Sequence, residues 1–343
     1  MSREKVLVTG ATGMAGSFIA RRLLEQGYQV RAMVRRGADR TLLEGLEIEY
    51  VEGELSRPES FPAAVDGVDV VVHAAAHIGD WGPAEKYRAI NVVALEQLLL
   101  AAEQTGQLKR WIQISSLGVY PARDHYGTDE TTPADLAGLD GYTRTKAEAE
   151  LVIQRHIRQH QLPAVVLRPG FIYGRGERHV VPQVIKRLEN GTMKIIGEGR
   201  KKLNNTYAGN LADAVVLALE NDNAVGETFN IRDERLVTRL EYIGAICDYV
   251  GKPMPRHVPL WVAKLAVGPI ETLAKLSGKA EAPILTRARI KFMALNLDYS
   301  IDKAKRVLGY EGRVDFQEGI RETLDWVCRD RLAAKPQEAV TQG

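Results

Sequence analysis

The stretch "KVLVTGATGMAG", residues 5–16, decides the fold. A short valine-rich run leads into three glycines, Gly10, Gly13 and Gly16, and then into a segment with helical spacing of apolar residues. Such a run is typical of a strand buried on both faces of a parallel sheet. Gly10 permits a sharp turn, Gly13 lets the backbone approach a pyrophosphate, and Gly16 lets the helix pack on the strand. Because the helix N-terminus also offers free N–H groups to phosphates, the stretch predicts a dinucleotide-binding loop, with a ligand-free turn as the alternative.

Apolar runs and helical periodicities alternate along the first half of the chain. The further runs predicted as strands are QVRAMVRR (29–36), IEYVEGE (48–54), VDVVVHAAA (68–76), RWIQISS (110–116), PAVVLRPG (163–170) and ETFNIRD (227–233). Helical patterns separate many of them, including EKYRAINVVALEQLLLAAEQTG (85–106) and TRTKAEAELVIQRHIRQHQ (143–161). This alternation predicts an α/β fold with a doubly wound parallel sheet of the Rossmann type.

The regular alternation ends after Pro169, which suggests a second structural unit. We expect residues 1–169 to form the dinucleotide-binding domain, to which the chain returns at about 205–232. We expect a smaller, mostly helical C-terminal lobe that binds substrate, and a polar tail that is frayed. The lobe comprises residues 170–204 and 233–330, and the tail comprises residues 331–343.

Composition excludes several classes of function. The 343 residues include 46 basic and 44 acidic side chains, a net charge of +2, which argues against a nucleic-acid partner. Cys247 and Cys328 have no metal-ligand spacing, so we expect no metal site, no disulfide framework and a reducing cytoplasm. No apolar run is long enough to span a membrane. The apolar segment 257–278 is interpreted either as a buried core helix or as a peripheral membrane contact.

Several motifs occur in the order typical of one known superfamily. After the GxxGxxG loop come VVHAAA (71–76), NVVALEQLL (91–99), ISSLGVY (114–120), YTRTK (142–146), LRPGFIYGRG (167–176), YAGNLADA (207–214) and GETFNI (226–231). This set resembles the extended short-chain dehydrogenase/reductase superfamily, over nearly the whole chain. The segments HAAAHIGDWGP, PLWVAKL and LGYEGRVDFQEGI further resemble its 3β-hydroxysteroid dehydrogenase-like branch.

The resemblance implies a Ser-Tyr-Lys relay of Ser116, Tyr142 and Lys146. Tyr142 and Lys146 are four residues apart, so they share one face of a helix. Tyrosine has a pKa of about 10 and is a poor acid or base at neutral pH, so we expect the lysine cation and an oxidised nicotinamide to lower it. Ser116 would hold the substrate oxygen, and Lys146 would also bind the nicotinamide ribose. Asn91 would support the relay through a water or backbone link, or would simply be a polar residue at a helix start.

The end of the second predicted strand favours NADP(H) over NAD(H). The position at which NAD-binding proteins carry an acid is Val34, and Arg35 and Arg36 follow. Arginine can clamp a 2′-phosphate, with Arg35 as the main contact, whereas a solvated arginine pair is the alternative. The complete set of predicted cofactor contacts is Gly10, Thr12, Gly13, Met14, Gly16, Arg35, Arg36, Glu54, Leu55, Ala74, Ala75, Ala76, Tyr142, Lys146 and Pro169.

Four residues are predicted to contact the substrate, and the sequence indicates its chemical class. The predicted substrate contacts are Ser116, His77, Trp81 and Tyr173, because they follow strand ends or lie in segments that approach substrate in relatives. Trp81 could equally cap the loop. We expect hydride transfer between nicotinamide and a hydroxyl or ketone carbon of a hydrophobic, steroid-like or β-hydroxy/β-keto substrate. A sugar-nucleotide epimerase or dehydratase, and a non-catalytic NADP(H) sensor, are the alternatives. Relatives also imply a homodimer through the helix that bears YxxxK and the helix before it.

Overall fold

The computed structural model describes residues 4–276, 283 and 285–329. Its strands are β1 (Lys5–Thr9), β2 (Gln29–Val34), β3 (Glu49–Glu52), β4 (Val70–His73), β5 (Arg110–Ile114), β6 (His125–Thr128), β7 (Ala164–Pro169), β8 (Phe171–Tyr173), β9 (Ile195–Ile196), β10 (Lys202–Leu203), β11 (Asn205–Tyr207), β12 (Thr228–Ile231), β13 (Val237–Thr238), β14 (His257–Val258) and β15 (Leu297–Tyr299).

Helices connect and cover these strands. They are α1 (Met14–Glu25), α2 (Phe61–Val65), α3 (Ala84–Arg88), α4 (Ala94–Gln104), α5 (Gly141–His160), α6 (Val180–Glu189), α7 (Ala208–Glu220), α8 (Arg239–Val250), α9 (Leu260–Leu276), α10 (Arg287–Ala294), α11 (Asp302–Leu308) and α12 (Phe316–Val327). Short 3-10 turns lie at Thr41–Leu43, Pro58–Ser60, Leu117–Val119 and Asp222–Ala224, and a π turn lies at Ala89–Val93.

Seven strands form one parallel sheet in the order β12-β7-β5-β4-β1-β2-β3. The chain proceeds from β1 to β2 and β3 on one side, and then from β4 outward on the other. The strand order therefore reverses between β1 and β4, and ligands of open α/β sheets bind outside the carboxyl ends of the strands at such a point. The predicted doubly wound fold is confirmed.

Helices bury both faces of this sheet, because successive residues of a strand point to opposite sides. Val6 and Val8 of β1 pack in one core with α1, α7 and α11, whereas Leu7 packs in a second core with α2, α4 and α5. Continuous apolar strands are thus required, and this explains the Val-rich runs in the sequence.

A third core joins the C-terminal elements. It contains aromatic side chains of β8, β11, α8 and α12, among them Tyr173, Tyr207, Tyr242 and Phe316. Four additional strand pairs, β10-β13, β11-β8, β14-β9 and β15-β6, accompany these helices. The division into residues 1–169 with 205–232 and a lobe of 170–204 with 233–330 stays a prediction, and the 331–343 tail lies outside the described residues.

Two helical segments differ from what their sequences predict, one in its continuity and the other in its exposure to solvent. The helix predicted over 85–106 is divided by the π turn, which contains the buried Asn91. In α9, Pro269 lies inside the helix, and the face that carries Trp261 and Leu265 is exposed. Across the described part of the chain, no helix has the length and apolar character needed to cross a membrane.

Candidate active site

The glycine loop has no room for side chains at two positions. Gly10 has a φ of +72°, and a Cβ on it would lie 2.8 Å from the backbone nitrogen of Ala75. A Cβ on Gly16 would lie 2.1 Å from the Gly10 carbonyl oxygen. Helix α1 begins after Gly13, which provides no side-chain cap, and its first turn contains no acidic residue. These features suit a bound pyrophosphate, because the helix N-terminus presents free N–H groups and the positive end of its dipole.

A cavity of about 680 Å³ lies at the carboxyl edge of the sheet, beside the glycine loop. Most of the site residues that were predicted from the sequence line this cavity. The predicted residues that line it are Gly10, Thr12, Gly13, Met14, Gly16, Arg35, Glu54, Leu55, Ala74, Ala75, Ala76, His77, Ser116, Tyr142, Lys146 and Pro169. The cavity therefore places the loop, the end of β2 and the Ser-Tyr-Lys residues around one space, and the residues present fit a nicotinamide dinucleotide.

Four predicted residues lie outside the lining of this cavity: Arg36, Trp81, Asn91 and Tyr173. The prediction that Tyr173 contacts substrate is wrong, because Tyr173 is fully buried in the third core and its hydroxyl donates to Asp233 Oδ2 at 2.8 Å. Trp81 is half-buried, and its carbonyl oxygen accepts from the Tyr87 hydroxyl at 2.9 Å. Arg36 is exposed beside Arg35, which alone of the two faces the cavity.

The hydroxyls of Ser116 and Tyr142 come together where β5 ends and α5 begins. Ser116 Oγ accepts from the Gly118 backbone N–H at 3.0 Å, which fixes the serine as the cap of a short turn. Burial raises the pKa of Tyr142 to about 12, and a hydrogen bond with Ser116 only partly opposes this rise. The lysine cation alone therefore does not produce the expected lowering, because burial outweighs it.

Lys146 lies one helical turn after Tyr142. Its Nζ donates to the Ile114 carbonyl oxygen at 2.7 Å and lies 5.9 Å from the centre of the Tyr142 ring. Burial lowers the pKa of Lys146 to about 8, and the Glu150 carboxylate opposes this change. The ammonium group is thus held at the end of β5, within the cavity, in a state that still carries charge at neutral pH.

A buried ion pair lies one further turn along α5. Arg168 of β7 donates to both carboxylate oxygens of Glu150, at 2.9 and 2.6 Å, and Ser115 Oγ donates to Glu150 Oε1 at 2.6 Å. A third Arg168 contact reaches the Tyr120 hydroxyl at 2.8 Å. Sequence reasoning missed Glu150 and Ser115. The available signal was the repeated four-residue spacing of Tyr142, Lys146 and Glu150 along one helix face.

The Asn91 side chain forms hydrogen bonds with the loop after β4 and does not line the cavity. Its side chain accepts from the His77 N–H at 2.7 Å, and its amide donates to the His77 carbonyl at 3.0 Å and to Thr145 Oγ1 at 3.0 Å. The π turn thereby ties the loop that follows β4 to the first turns of α5. A role for Asn91 in the proton relay itself stays a prediction.

The opposite end of the cavity is charged. Arg35 lies there with Asp39 and Arg178, which form an ion pair of 2.7 Å. Hydrogen bonds from Thr41 and Arg178 lower the pKa of Asp39 to about 2, so its carboxylate is ionised at neutral pH. Sequence reasoning missed Asp39, because the side chain that pairs with it comes from a distant segment.

The fold and this site define a nicotinamide-dependent oxidoreductase with a Rossmann sheet. Residues 6–231 match the NAD dependent epimerase/dehydratase family, and the chain belongs to that family. The resemblance to the extended short-chain dehydrogenase/reductase superfamily, and to its 3β-hydroxysteroid dehydrogenase-like branch, is confirmed.

Similar proteins include several reductases and dehydrogenases. A 2-alkyl-3-oxoalkanoate reductase of Shewanella oneidensis is 31% identical, over 92% of this chain and 84% of that protein. The decarboxylating sterol-4-alpha-carboxylate 3-dehydrogenase ERG26 of Candida albicans is 30% identical, over 96% of this chain and 99% of that protein. The crystal structure of gox2253 matches with a TM-score of 0.79 and 28% identity, over 97% of this chain and 100% of that chain.

Proposed function

We propose that this oxidoreductase transfers hydride between a nicotinamide and the ketone or hydroxyl carbon of a hydrophobic β-keto, β-hydroxy or steroid-like substrate. The single observation that carries the proposal is the position of Ser116, Tyr142 and Lys146 in the cavity beside the glycine loop. The named activities of the Shewanella oneidensis and Candida albicans proteins support this class of substrate.

The chain's own residues supply binding and proton transfer. A bound nicotinamide supplies or accepts the hydride. In ketone reduction, Ser116 Oγ holds the substrate oxygen, and Tyr142 Oη donates a proton to it as the alcohol forms. With a pKa raised to about 12, the Tyr142 phenol carries its proton at neutral pH and can donate it. The Lys146 cation stabilises the tyrosinate that develops when the proton leaves.

The cavity also suggests which predicted substrate contacts lie near the reacting carbon. His77 and Ser116 line the cavity, whereas Trp81 does not. His77 is held by its backbone, through the two hydrogen bonds of Asn91. We therefore assign His77 and Ser116 to the substrate side, with Asn91 as a positioning residue.

An epimerase or dehydratase that uses a sugar nucleotide remains the alternative function, because the same three residues would serve it. A non-catalytic NADP(H) sensor is the second alternative. The experiment is to supply the purified protein with NADPH or NADH and a panel of hydrophobic ketones, and to follow absorbance of the nicotinamide. We expect steady consumption of the reduced cofactor. An epimerase would instead convert a UDP-sugar without net change in absorbance, and a sensor would bind cofactor without converting either substrate.

We infer that NADP(H) is preferred over NAD(H), through Arg35. Arg35 lines the cavity directly after a strand that ends in Val34, so no acid occupies the strand-end position that would repel a 2′-phosphate. The nearby Asp39 carboxylate is paired with Arg178. Arg36 provides a matched control, because it is adjacent, exposed and outside the cavity lining.

The test of this preference compares Arg35→Ala with Arg36→Ala. Loss of a guanidinium–phosphate contact should raise KM for NADPH by about tenfold or more and leave KM for NADH within about twofold. Arg36→Ala should behave like the unmodified protein. A tenfold preference of the unmodified protein for NADH would contradict the inference.

We propose that α9 contacts a membrane surface. Large apolar side chains are exposed along it: Trp261, Leu265, Leu273 and Leu276 are 65%, 70%, 70% and 81% exposed. Lys264 of α9, and Lys252 and Arg256 shortly before it in the sequence, are exposed, and basic side chains favour anionic headgroups. Buried Ala263 and Val267 attach the opposite face of the helix to α10.

We also propose a homodimer through α4 and α5. Leu100 of α4, Leu151 of α5 and Val93, in the π turn directly before α4, are 39%, 51% and 40% exposed. Exposed aliphatic side chains on two neighbouring helices support a protein–protein surface. This is also the pair of helices that the resemblance implied.

A further inference from the structure

Three potential metal ligands lie at the end of α5 that is remote from Tyr142. They are Glu103 of α4 with His156 and His160 of α5, and their ligand atoms all lie within 4.8 Å of one another. We propose that this cluster is a Zn²⁺ site that bridges α4 to α5. We expected no metal site, because neither cysteine has metal-ligand spacing; the histidines that share a face of α5 give a different signal.

The geometry is close to that of a zinc site. His156 and His160 are one helical turn apart, so both rings point to the same side of α5. Both rings direct Nδ1 toward the Glu103 carboxylate. His156 Nδ1 lies 3.0 Å from Glu103 Oε1, and His160 Nδ1 lies 2.9 Å from Glu103 Oε2. Ligand atoms of a tetrahedral zinc are about 3.3 Å apart, since each bond is about 2.0–2.1 Å. A small movement of the side chains would therefore admit the ion.

The ligand chemistry also suits zinc. Two imidazoles and one carboxylate are donors that this ion prefers, and a three-ligand site leaves a position for water. The His156 side chain is 3% exposed, Glu103 is 18% exposed and His160 is 44% exposed, so one side of the cluster is open to solvent. Glu96 Oε1 lies 4.0 Å from His156 Nε2, beyond hydrogen-bond distance, and is paired with Arg155.

The cluster is separate from the hydride-transfer site. None of its three residues lines the cavity beside the glycine loop. His156 follows Lys146 by ten positions along α5, a rise of about 15 Å. Zinc binding is thus expected to stabilise the packing of α4 on α5 while it leaves the catalytic residues untouched.

The test is a calorimetric titration of ZnCl₂ into the full-length protein after treatment with a chelator. We expect one equivalent to bind with a Kd below about 10 µM, on the usual affinity scale. At a free zinc concentration of a hundred times Kd, Tm should rise by about 4 °C. Turnover of ketone should change by less than about twofold, since the site lies outside the cavity.

Two variants identify the ligands. His160→Ala replaces the most exposed ligand, and Glu103→Gln keeps an oxygen acceptor for both histidines but removes the charge. Each should weaken zinc binding by about tenfold or more. His257→Ala, a change at an exposed histidine outside the cluster, should bind zinc like the unmodified protein. Absence of binding in the unmodified protein, or unchanged binding in either cluster variant, would overturn the proposal and leave a hydrogen-bonded His–Glu–His group.

Discussion

At the scale of single residues, the proposed proton transfer depends on Tyr142 and Lys146, whose pKa values both depart from the ordinary ones. Tyr142 and Lys146 follow from a spacing and a resemblance, and both line the cavity. Their pKa values depend on burial, which a spacing does not reveal. Tyr173 shows the same limit, because the motif locates a tyrosine but not the direction of its side chain, which packs inward on Asp233.

The pKa of Lys146 predicts how the rate of ketone reduction depends on pH. Its pKa of about 8 means that the cation is present below this pH and is lost above it, whereas Tyr142 keeps its proton to about 12. We expect kcat/KM for ketone reduction to fall as pH rises through about 8. In Glu150→Gln, the carboxylate that raises the pKa of Lys146 is removed, so the midpoint should move to lower pH.

The matched control for this profile is Glu148→Gln, which changes a half-buried carboxylate that pairs with Arg88 and Arg144. We expect it to leave the midpoint unchanged. A flat profile up to pH 10 in the unmodified protein, or the same shift in both variants, would show that Lys146 is not the titrating group.

At the scale of elements, the strands of the large sheet were predictable because each is a continuous apolar run. The strand pairs β14-β9 and β10-β13 were not, since each strand has only two residues and carries no periodic signal. The π turn was also missed. Asn91 has no local reason to interrupt a helix, and its partners, His77 and Thr145, lie in other segments.

The exposed ridge on α9 gives a prediction at the same scale. The unmodified protein should sediment with vesicles that contain anionic lipid, and less with neutral ones, because apolar and basic side chains act together. Leu265→Glu should reduce this binding by about tenfold or more, since it places a charge on the ridge. The control is Tyr126→Glu at a residue that is 74% exposed on β6. Equal sedimentation of the two variants would contradict a membrane contact.

At the scale of the whole molecule, the alternation of strands and helices predicted the doubly wound sheet and the position of the cavity at its carboxyl edge. The third core could not be predicted from the sequence, because its aromatic residues come from four separate elements, β8, β11, α8 and α12. The Arg168–Glu150 ion pair was equally hard to predict from the sequence, since it joins β7 to α5. Contacts of this kind depend on the packing of distant elements.

The proposed dimer is tested by light scattering after size-exclusion chromatography. The unmodified protein should have about twice the chain mass of 38.0 kDa. Leu151→Glu should yield monomers, because it places a charge in an apolar interface. Leu139→Glu is the control, since Leu139 is exposed at 42% and lies outside α4 and α5. A monomeric unmodified protein would exclude the dimer.

The central claim is that Tyr142 transfers the proton that accompanies hydride transfer. The most direct measurement is the rate of NADPH consumption with the best hydrophobic ketone, for the unmodified protein, Tyr142→Phe and the surface control Tyr126→Phe. Loss of a general acid should lower kcat by about 100-fold or more in Tyr142→Phe, with cofactor affinity nearly unchanged, and Tyr126→Phe should be fully active. A Tyr142→Phe protein that retains the rate of the unmodified protein would contradict the account.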